Sequence, residues 1–165
     1  MPRELPLGML MFLAHRAAED RVFARLAEAG YDDITRAQGR LLAGMDEGGT
    51  RLVVLAERAR VAKQTAVALV DRLERAGYVT RELDPSDGRA RLVVLTERGR
   101  GLIPHARRAE AETDDEWTAV LGARRARALR AALDDLRDVV DHESALPRGS
   151  AGSGAVVWSQ GEGRS

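Results

Sequence analysis

The residues with the clearest potential chemistry lie in the middle of the chain, where cations and amides occur close together. Position 63 carries the only lysine, and Gln64 and Thr65 follow it directly. Arg89 and Arg91 come after a segment rich in turn-forming residues. Side chains of these types donate hydrogen bonds to phosphate oxygens and to base edges. They indicate binding to a polyanion; for Lys63 alone, the alternative is a lysine that is merely solvated.

The distribution of charge is uneven although the formal net charge is zero. Residues 51–100 carry 11 Lys+Arg against 7 Asp+Glu, whereas residues 1–50 carry 6 against 8 and residues 101–142 carry 7 against 9. A basic segment between acidic flanks can orient a protein on a polyanion. The alternative is that charges on solvated faces cluster by chance.

Several classes of site have no support in the composition. Cysteine is absent, which excludes disulfides, thiolate nucleophiles and cysteine-ligated zinc. His105 and His142 lie far apart, without metal-ligand spacing. No nucleophile has a neighbouring base, and no glycine-rich loop could hold a phosphate. We therefore expect neither an enzyme nor a bound cofactor or metal.

The chain also lacks an apolar stretch of the roughly 20 residues that a membrane span needs. Its first ten residues do not resemble a signal peptide, which would have a basic start, an apolar segment and a cleavage site. We expect a cytoplasmic protein that does not contact a membrane.

Hydrophobic periodicity predicts four helices in the first half of the chain. The first spans about 7–29, and the second starts near Thr35, which has capping-box spacing to Gln38, and ends in the turn 46–49. Thr50 is the expected cap of a third helix that stops near Arg60. The fourth helix follows a short turn, buries Leu69 and Leu73 on one face, and ends before Gly77.

After this helix the pattern changes to that of a β-hairpin. Residues 78–83 and 91–95 are extended in character, and the turn-forming residues 84–88 separate them. Thr96 then caps a fifth helix, and Thr113 with Glu116 has the spacing of a further capping box. A last helix is expected over about 123–142, before a segment from 143 to 165 that is rich in glycine and serine and that we interpret as a flexible tail.

This order of elements predicts a mainly α fold with a small β-hairpin wing. A major groove about 12 Å wide admits one helix, the preceding helix braces it, and a hairpin tip can reach a neighbouring groove. The expected organisation is an N-terminal dimerisation helix (1–33), a winged helix-turn-helix core (34–100), C-terminal dimerisation helices (101–142) and the tail (143–165).

A series of short motifs in fixed order extends from about residue 34 to residue 99. They are Ile34-Thr35-x-x-Gln38, Leu55-Ala56, Lys63-Gln64-Thr65, Leu69 to Glu74, Gly77-Tyr78-Val79, Asp84-Pro85-x-Asp87-x-Arg89 and Leu95 to Gly99. In this order and spacing they resemble the MarR (multiple antibiotic resistance regulator) family. The resemblance implies a homodimeric winged-helix transcription regulator, usually a repressor, whose first and last helices form the dimer interface.

The resemblance also assigns roles to individual residues. The fourth helix would be the recognition helix, Arg89 at the wing tip would enter the minor groove, and Asp87 would pair with a wing arginine. The alternatives are a plain turn former at Asp87 and a solvated charge at Arg89. The expected DNA-binding residues are Lys63, Gln64, Thr65, Val67, Ala68, Arg72, Asp87, Arg89 and Arg91.

Four positions depart from the family pattern. Ala62 cannot cap the recognition helix with a side chain, a contribution typically worth about 1 kcal/mol. Val67 and Ala68 stand where the family often has a hydroxyl and a long basic residue, and Gly88 replaces a frequently basic wing residue. Direct base readout is thereby reduced, which leaves Gln64, contact with thymine methyl groups and readout of groove shape by the wing.

The flanking helices imply a partner and the resemblance implies a ligand. Leu129, Leu133, Leu136 and Val140 form an apolar stripe that predicts a homodimer on a pseudo-palindromic DNA site; the alternative is a monomer that folds the stripe back on itself. Many members of the family respond to a small aromatic or phenolic anion. The candidate effector-binding residues are His15, Arg16, Arg36 and Gln38, although His15 is also compatible with a simple boundary position.

A second class of function competes with DNA binding. Val67 and Ala68 on the nominal reading face also fit a winged-helix module that contacts another protein and binds DNA weakly or not at all. Affinity for duplex DNA of arbitrary sequence distinguishes the two hypotheses, because a protein-binding wing should have little of it at any salt concentration.

Overall fold

A computed structural model of the chain describes residues 4–143, with side chains up to residue 137. Its elements in chain order are α1 (Leu7–Glu28), α2 (Arg36–Ala43), β1 (Thr50–Arg51), α3 (Leu52–Arg58), α4 (Lys63–Arg75), β2 (Val79–Asp84), β3 (Asp87–Leu95), α5 (Glu97–Gly101), α6 (Ile103–Leu121) and α7 (Ala123–Glu143). The predicted fold class, mainly helical with a small β wing, is confirmed. None of the described helices has the length and apolar character that crossing a membrane requires.

Local sequence signals explain where several helices begin and end. The predicted capping box of α2 is present: the Thr35 amide donates to Gln38 Oε1 at 2.8 Å, and the Gln38 amide donates to Thr35 Oγ1 at 3.3 Å. Gly77 follows α4 with a φ of +77°, a conformation that glycine adopts without strain. As predicted, α4 begins after Ala62 without a side-chain cap.

The wing is part of a three-stranded antiparallel sheet with the strand order β1-β3-β2. β2 and β3 form the expected hairpin, with Val79 opposite Leu95 and an irregularity between Leu83 and Asp84. The prediction that Thr50 caps α3 is wrong, because Thr50 belongs to β1. Its Oγ1 accepts a hydrogen bond from the Asp46 amide at 2.8 Å, and Arg51 is the residue that precedes α3.

The expected capping box at Thr113 is also wrong. Thr113 is buried in the middle of α6, and its hydroxyl donates to the Ala109 carbonyl at 2.7 Å within the same helix. The helix runs on to Leu121, and the chain turns at Gly122, whose φ is +77°. The last helix starts at Ala123 as predicted. It includes Glu143, the first residue of the predicted tail, and residues 144–165 lie outside the described part of the chain.

One hydrophobic core holds α2, α3, α4 and the sheet together. Leu41, Leu55, Val70 and Leu73 are fully buried in it, and Tyr78 closes it beside β2. The core also takes in Leu26 of α1 and Leu102 and Ala106 near the start of α6. The C-terminal half of α1 therefore packs on the module, and α6 lies alongside it. This packing fixes α4 as an outer helix with one free face.

Candidate nucleic-acid interface

The outer face of α4 carries the side chains that the sequence places on a recognition helix. Lys63, Gln64, Thr65 and Arg72 are exposed, and so are Val67 and Ala68. The opposite face of the helix is buried through Ala66, Leu69, Val70 and Leu73. Because a helix turns by about 100° per residue, this division leaves one continuous stripe of polar and small side chains facing solvent.

The basic residues of this face differ from most others in the molecule, because their charged groups have no hydrogen-bond or ion-pair partner among the described residues. Most described arginines donate to a carboxylate or a backbone carbonyl, as Arg25 does to Glu112 at 2.9 Å. Among residues 4–137, the charged groups of only a few basic side chains make neither a hydrogen bond nor an ion pair, and five of them belong to α4 or the wing. These five are Lys63, Arg72, Arg75, Arg89 and Arg91. We call them the open cations.

The turn at the tip of the wing is held by a buried carboxylate. Asp84 Oδ1 accepts hydrogen bonds from the Ser86 amide at 2.8 Å and the Ser86 hydroxyl at 2.6 Å. Its Oδ2 accepts from Arg51 Nε at 2.8 Å and Nη2 at 2.6 Å. The hydrogen bonds from Ser86, followed by those from Arg51, lower the pKa of Asp84 to about 2. A charged hydrogen-bond network thus fixes the turn from which the wing arginines project.

Asp87 has a different partner from the one that the family resemblance implies. Its Oδ1 accepts a hydrogen bond from the Arg89 backbone amide at 3.1 Å, and its Oδ2 lies 3.7 Å from Arg51 Nη2. The Arg89 guanidinium is among the open cations, whereas Asp87 orders the backbone beneath it. Sequence reasoning placed Asp84 in the hairpin turn but missed its pairing with Arg51, because Arg51 belongs to a two-residue strand that has no recognisable periodicity.

A second set of ion pairs joins the wing to α4. Arg81 of β2 contacts Asp71 at 2.5 Å and also pairs with Glu74. These two carboxylates would repel a polyanion at the edge of α4, and Arg81 offsets one of their two negative charges. The pairs also fix the wing relative to α4.

The C-terminal end of α4 is held by a cluster around Tyr78. The Tyr78 hydroxyl donates to Asp33, and Arg98 Nη2 contacts Asp33 Oδ2 at 3.1 Å. Arg98 Nη1 donates to the Ala76 carbonyl at 2.7 Å, and its guanidinium lies 4.3 Å from the centre of the Tyr78 ring. Burial, followed by the hydrogen bond to Asp33, raises the pKa of Tyr78 to about 12. The cluster ties the loop after α1 to the end of the recognition helix.

A separate cavity of about 240 Å³ lies where α1, α2 and the start of α6 meet. His15 contributes to its wall, as predicted for an effector-binding residue. The other three candidates, Arg16, Arg36 and Gln38, are not part of the wall within the described chain. Gln38 is buried as the capping residue of α2, and Arg36 pairs with Glu19 and Asp20.

Comparison with known proteins agrees with this geometry. Residues 32–90 match the family model described as MarR family. The chain is 33% identical over 92 residues to the transcriptional regulator HosA of Escherichia coli O157:H7, which is 55% of this chain and 68% of that protein. For HosA of Escherichia coli O111:H- the match is 34% over 86 residues, 52% of this chain and 64% of the relative, so the chain spans slightly less than two thirds of that relative's length.

Solved structures extend the likeness to the flanking helices. Wild-type MarR from Escherichia coli in its apo form has a TM-score of 0.65 and 25% identity. The match covers 81% of this chain and 98% of the solved chain. A MarR family protein of Mycobacterium tuberculosis, solved in complex with salicylic acid, has a TM-score of 0.59 and 28% identity. The match covers 82% of this chain and 99% of the solved chain. The curated and structural relatives of this chain are transcription regulators, which are not enzymes. The open recognition face, the wing and these matches together assign this chain to the MarR family of transcriptional regulators.

Proposed function

We propose that this protein is a cytoplasmic homodimer that binds double-stranded DNA at a pseudo-palindromic operator, represses transcription there and responds to a small ligand. The observation that carries the DNA-binding step is the set of five open cations on α4 and the wing. Cations without an internal partner can bind phosphates without first breaking an ion pair, so the full release of counterions favours the complex.

The exposed apolar residues support a homodimer. At the N-terminal end of α1, Leu7, Leu10, Phe12 and Leu13 are about half exposed, and Leu129, Leu133 and Leu136 are exposed along α7. The side chain of Val140, the last member of the predicted stripe, lies outside the described residues. The apolar surfaces of α1 and α7 can cover each other when two copies of the chain intertwine. Such an interface would bury more than about 2,000 Å².

A dimer of this kind gives a geometric expectation for the operator. Two α4 helices related by a two-fold axis would enter successive major grooves on one side of the duplex, about 34 Å apart. The wings would then reach the flanking minor grooves with Arg89. A dimer bound in this way occludes the site for other proteins, which is the simplest route to repression.

The cavity beside α1 and α2 is the proposed effector site. It lies between the dimerisation helix α1 and α2, the first helix of the DNA-binding module, so a ligand there can change the position of α4. The relative from Mycobacterium tuberculosis whose structure includes salicylic acid supports a small aromatic ligand. The cavity is larger than the roughly 150 Å³ that accommodates a benzene molecule in an engineered apolar site.

A titration of fluorescently labelled duplex DNA of random sequence tests the DNA-binding step. We expect measurable binding at low salt and a steep loss of affinity at moderate salt. Absence of binding at low salt would favour the alternative, a protein-contact module, for which the exposed Val67 on α4 and Leu83 on the wing are candidate surfaces.

Sedimentation velocity tests the dimer. We expect the wild-type protein to sediment as a dimer and Leu133→Glu to sediment as a monomer, because a charge in a buried apolar interface is strongly unfavourable. Leu83→Glu is the matched control, since Leu83 is equally apolar but lies on the wing and should leave the dimer intact. A wild-type monomer would contradict the proposal.

A further inference from the structure

We infer that the ligand of the cavity between α1, α2 and α6 is an uncharged aromatic molecule and not an organic anion. This inference rests on the proposed effector site. It also distinguishes this chain from a relative that holds salicylic acid and from the expectation that Arg16 and Arg36 would bind an anionic effector.

The first step is the chemistry of the wall. The inner surface is largely apolar and is formed by Val22, Phe23, Leu26, Leu42 and Leu102. Such a surface removes a ligand from water, and a charged ligand loses hydration free energy unless an oppositely charged group replaces the water. An anion would therefore need an available cation at the wall.

The second step is that the two arginines beside the cavity, Arg36 and Arg40, are already paired with carboxylates, which leaves His15 as the other wall residue that can carry a positive charge. Glu19 has a side chain that is only 12% exposed; its Oε2 accepts from Arg36 Nη1 at 3.0 Å, and its Oε1 accepts from Arg40 Nε at 3.2 Å. Arg36 also pairs with Asp20. The two guanidinium groups thus face two carboxylates.

An organic anion would have to displace Glu19 from one of these arginines. Glu19 is attached to α1 and loses little freedom when it pairs, whereas a free ligand loses translational and rotational freedom. Displacement would also leave the largely buried Glu19 carboxylate with one cation instead of two. An uncharged molecule avoids both penalties and still buries its ring against Phe23.

The cavity also has the shape for a ring close to α2. Gly39 of α2 lines the wall, and a Cβ at that position would lie 2.6 Å from Phe23 Cζ. The absence of a side chain at Gly39 therefore lets the Cζ end of the Phe23 ring approach α2. Phe23 and Gly39 both line the cavity of about 240 Å³.

The test compares two nearly isosteric molecules, salicylamide and salicylate, by isothermal titration calorimetry of the full-length protein at pH 7.5, where an ordinary imidazole is mostly uncharged. We expect salicylamide to bind at least about tenfold more tightly, the factor that corresponds to one unfavourable charge interaction. Equal affinity, or tighter binding of salicylate, would overturn the inference.

Glu19→Gln provides a second and independent arm. This variant removes the carboxylate that neutralises Arg36 and Arg40, and we expect the affinity for salicylate to rise about tenfold while that for salicylamide changes less than about twofold. Glu116→Gln is the matched control, because Glu116 pairs with Arg21 outside the cavity. A gain for neither ligand in Glu19→Gln, or an equal gain in Glu116→Gln, would contradict the role assigned to Glu19.

Two variants at neighbouring positions test whether the ligand binds in this cavity. Ala18 lines the cavity and Ala17 does not, so Ala18→Leu should weaken salicylamide binding at least about tenfold through steric exclusion, whereas Ala17→Leu should not. Unchanged binding in Ala18→Leu, or no binding of either ligand to the wild-type protein, would overturn the inference. The random-duplex titration of the same preparation is independent of both results, so a failure here and a failure of DNA binding are distinguishable.

Discussion

The open cations make a quantitative prediction for Arg89→Ala. Each protomer presents five open cations, so a symmetric dimer presents ten. If every one contacts a phosphate, the logarithm of the binding constant should fall with the logarithm of the salt concentration with a slope of up to about −9. Removal of Arg89 from both protomers eliminates two contacts, and the slope should flatten by about 1.8. At about 0.15 M salt this corresponds to a roughly thirtyfold loss of affinity, or about 2 kcal/mol.

The assay is a fluorescence anisotropy titration of one duplex at several salt concentrations. Arg124→Ala is the matched control, because Arg124 also makes no ion pair or hydrogen bond among the described residues but lies on α7, opposite the apolar stripe of that helix. It should leave slope and affinity unchanged. The reasoning is refuted if Arg89→Ala retains the wild-type slope, or if Arg124→Ala flattens it equally.

Three further predictions concern the recognition helix and the wing. Val67→Lys should strengthen binding to unrelated DNA by up to roughly thirtyfold and steepen the salt dependence, since it adds one cation per protomer to the outer face of α4; an unchanged titration would mean that this face points elsewhere. The Asp84 carboxylate should stabilise the fold above its ordinary pKa of 3.8, and this contribution should disappear as the pH falls through about 2. Acid unfolding of Asp84→Asn should accordingly be less steep over that interval, and identical curves would show that the network adds no stability. In urea denaturation, Thr35→Ala should lose about 1 kcal/mol with its capping box, and Ala62→Ser should gain up to about 1 kcal/mol by capping α4; the reverse signs would contradict the assignment of the caps.

Local chemistry explains which parts of the fold could be predicted from the sequence. The capping box of Thr35 and Gln38 and the glycine at position 77 act within one turn of chain, so their effect is visible in the residues themselves. The hairpin follows from a dense turn signal between two apolar segments. By contrast, β1 is only two residues long and exists through its pairing with β3, as shown by Thr50 opposite Val93.

The candidate site shows the same division between local and distant information. The exposed face of α4 follows from helical periodicity, and Ala62 was correctly expected to provide no cap. Ion pairs across the fold have no such signal: Arg51 meets Asp84, and Arg36 meets Glu19, only after the elements pack. These pairs decide which arginines stay available, and for that reason the sequence assigned Arg36 to a ligand that the structure does not favour.

The pairing pattern gives the protein surface a functional division. On α1, α2 and α6, arginines such as Arg25, Arg40 and Arg108 meet carboxylates and contribute little net charge. On α4 and the wing, Arg81 pairs with Asp71 and Glu74, Arg51 pairs with Asp84, and the open cations remain. A net charge of zero is thus compatible with a locally positive face.

Selection of bound fragments from a pool of random duplex DNA tests the central claim most directly. We expect enrichment of an inverted repeat whose two half-sites have centres about one helical turn, roughly 10 base pairs, apart, because two α4 helices must reach successive major grooves from one side. Recovery of a single asymmetric site, or a bound pool with no common sequence pattern and no length requirement, would contradict the proposed arrangement of two recognition helices.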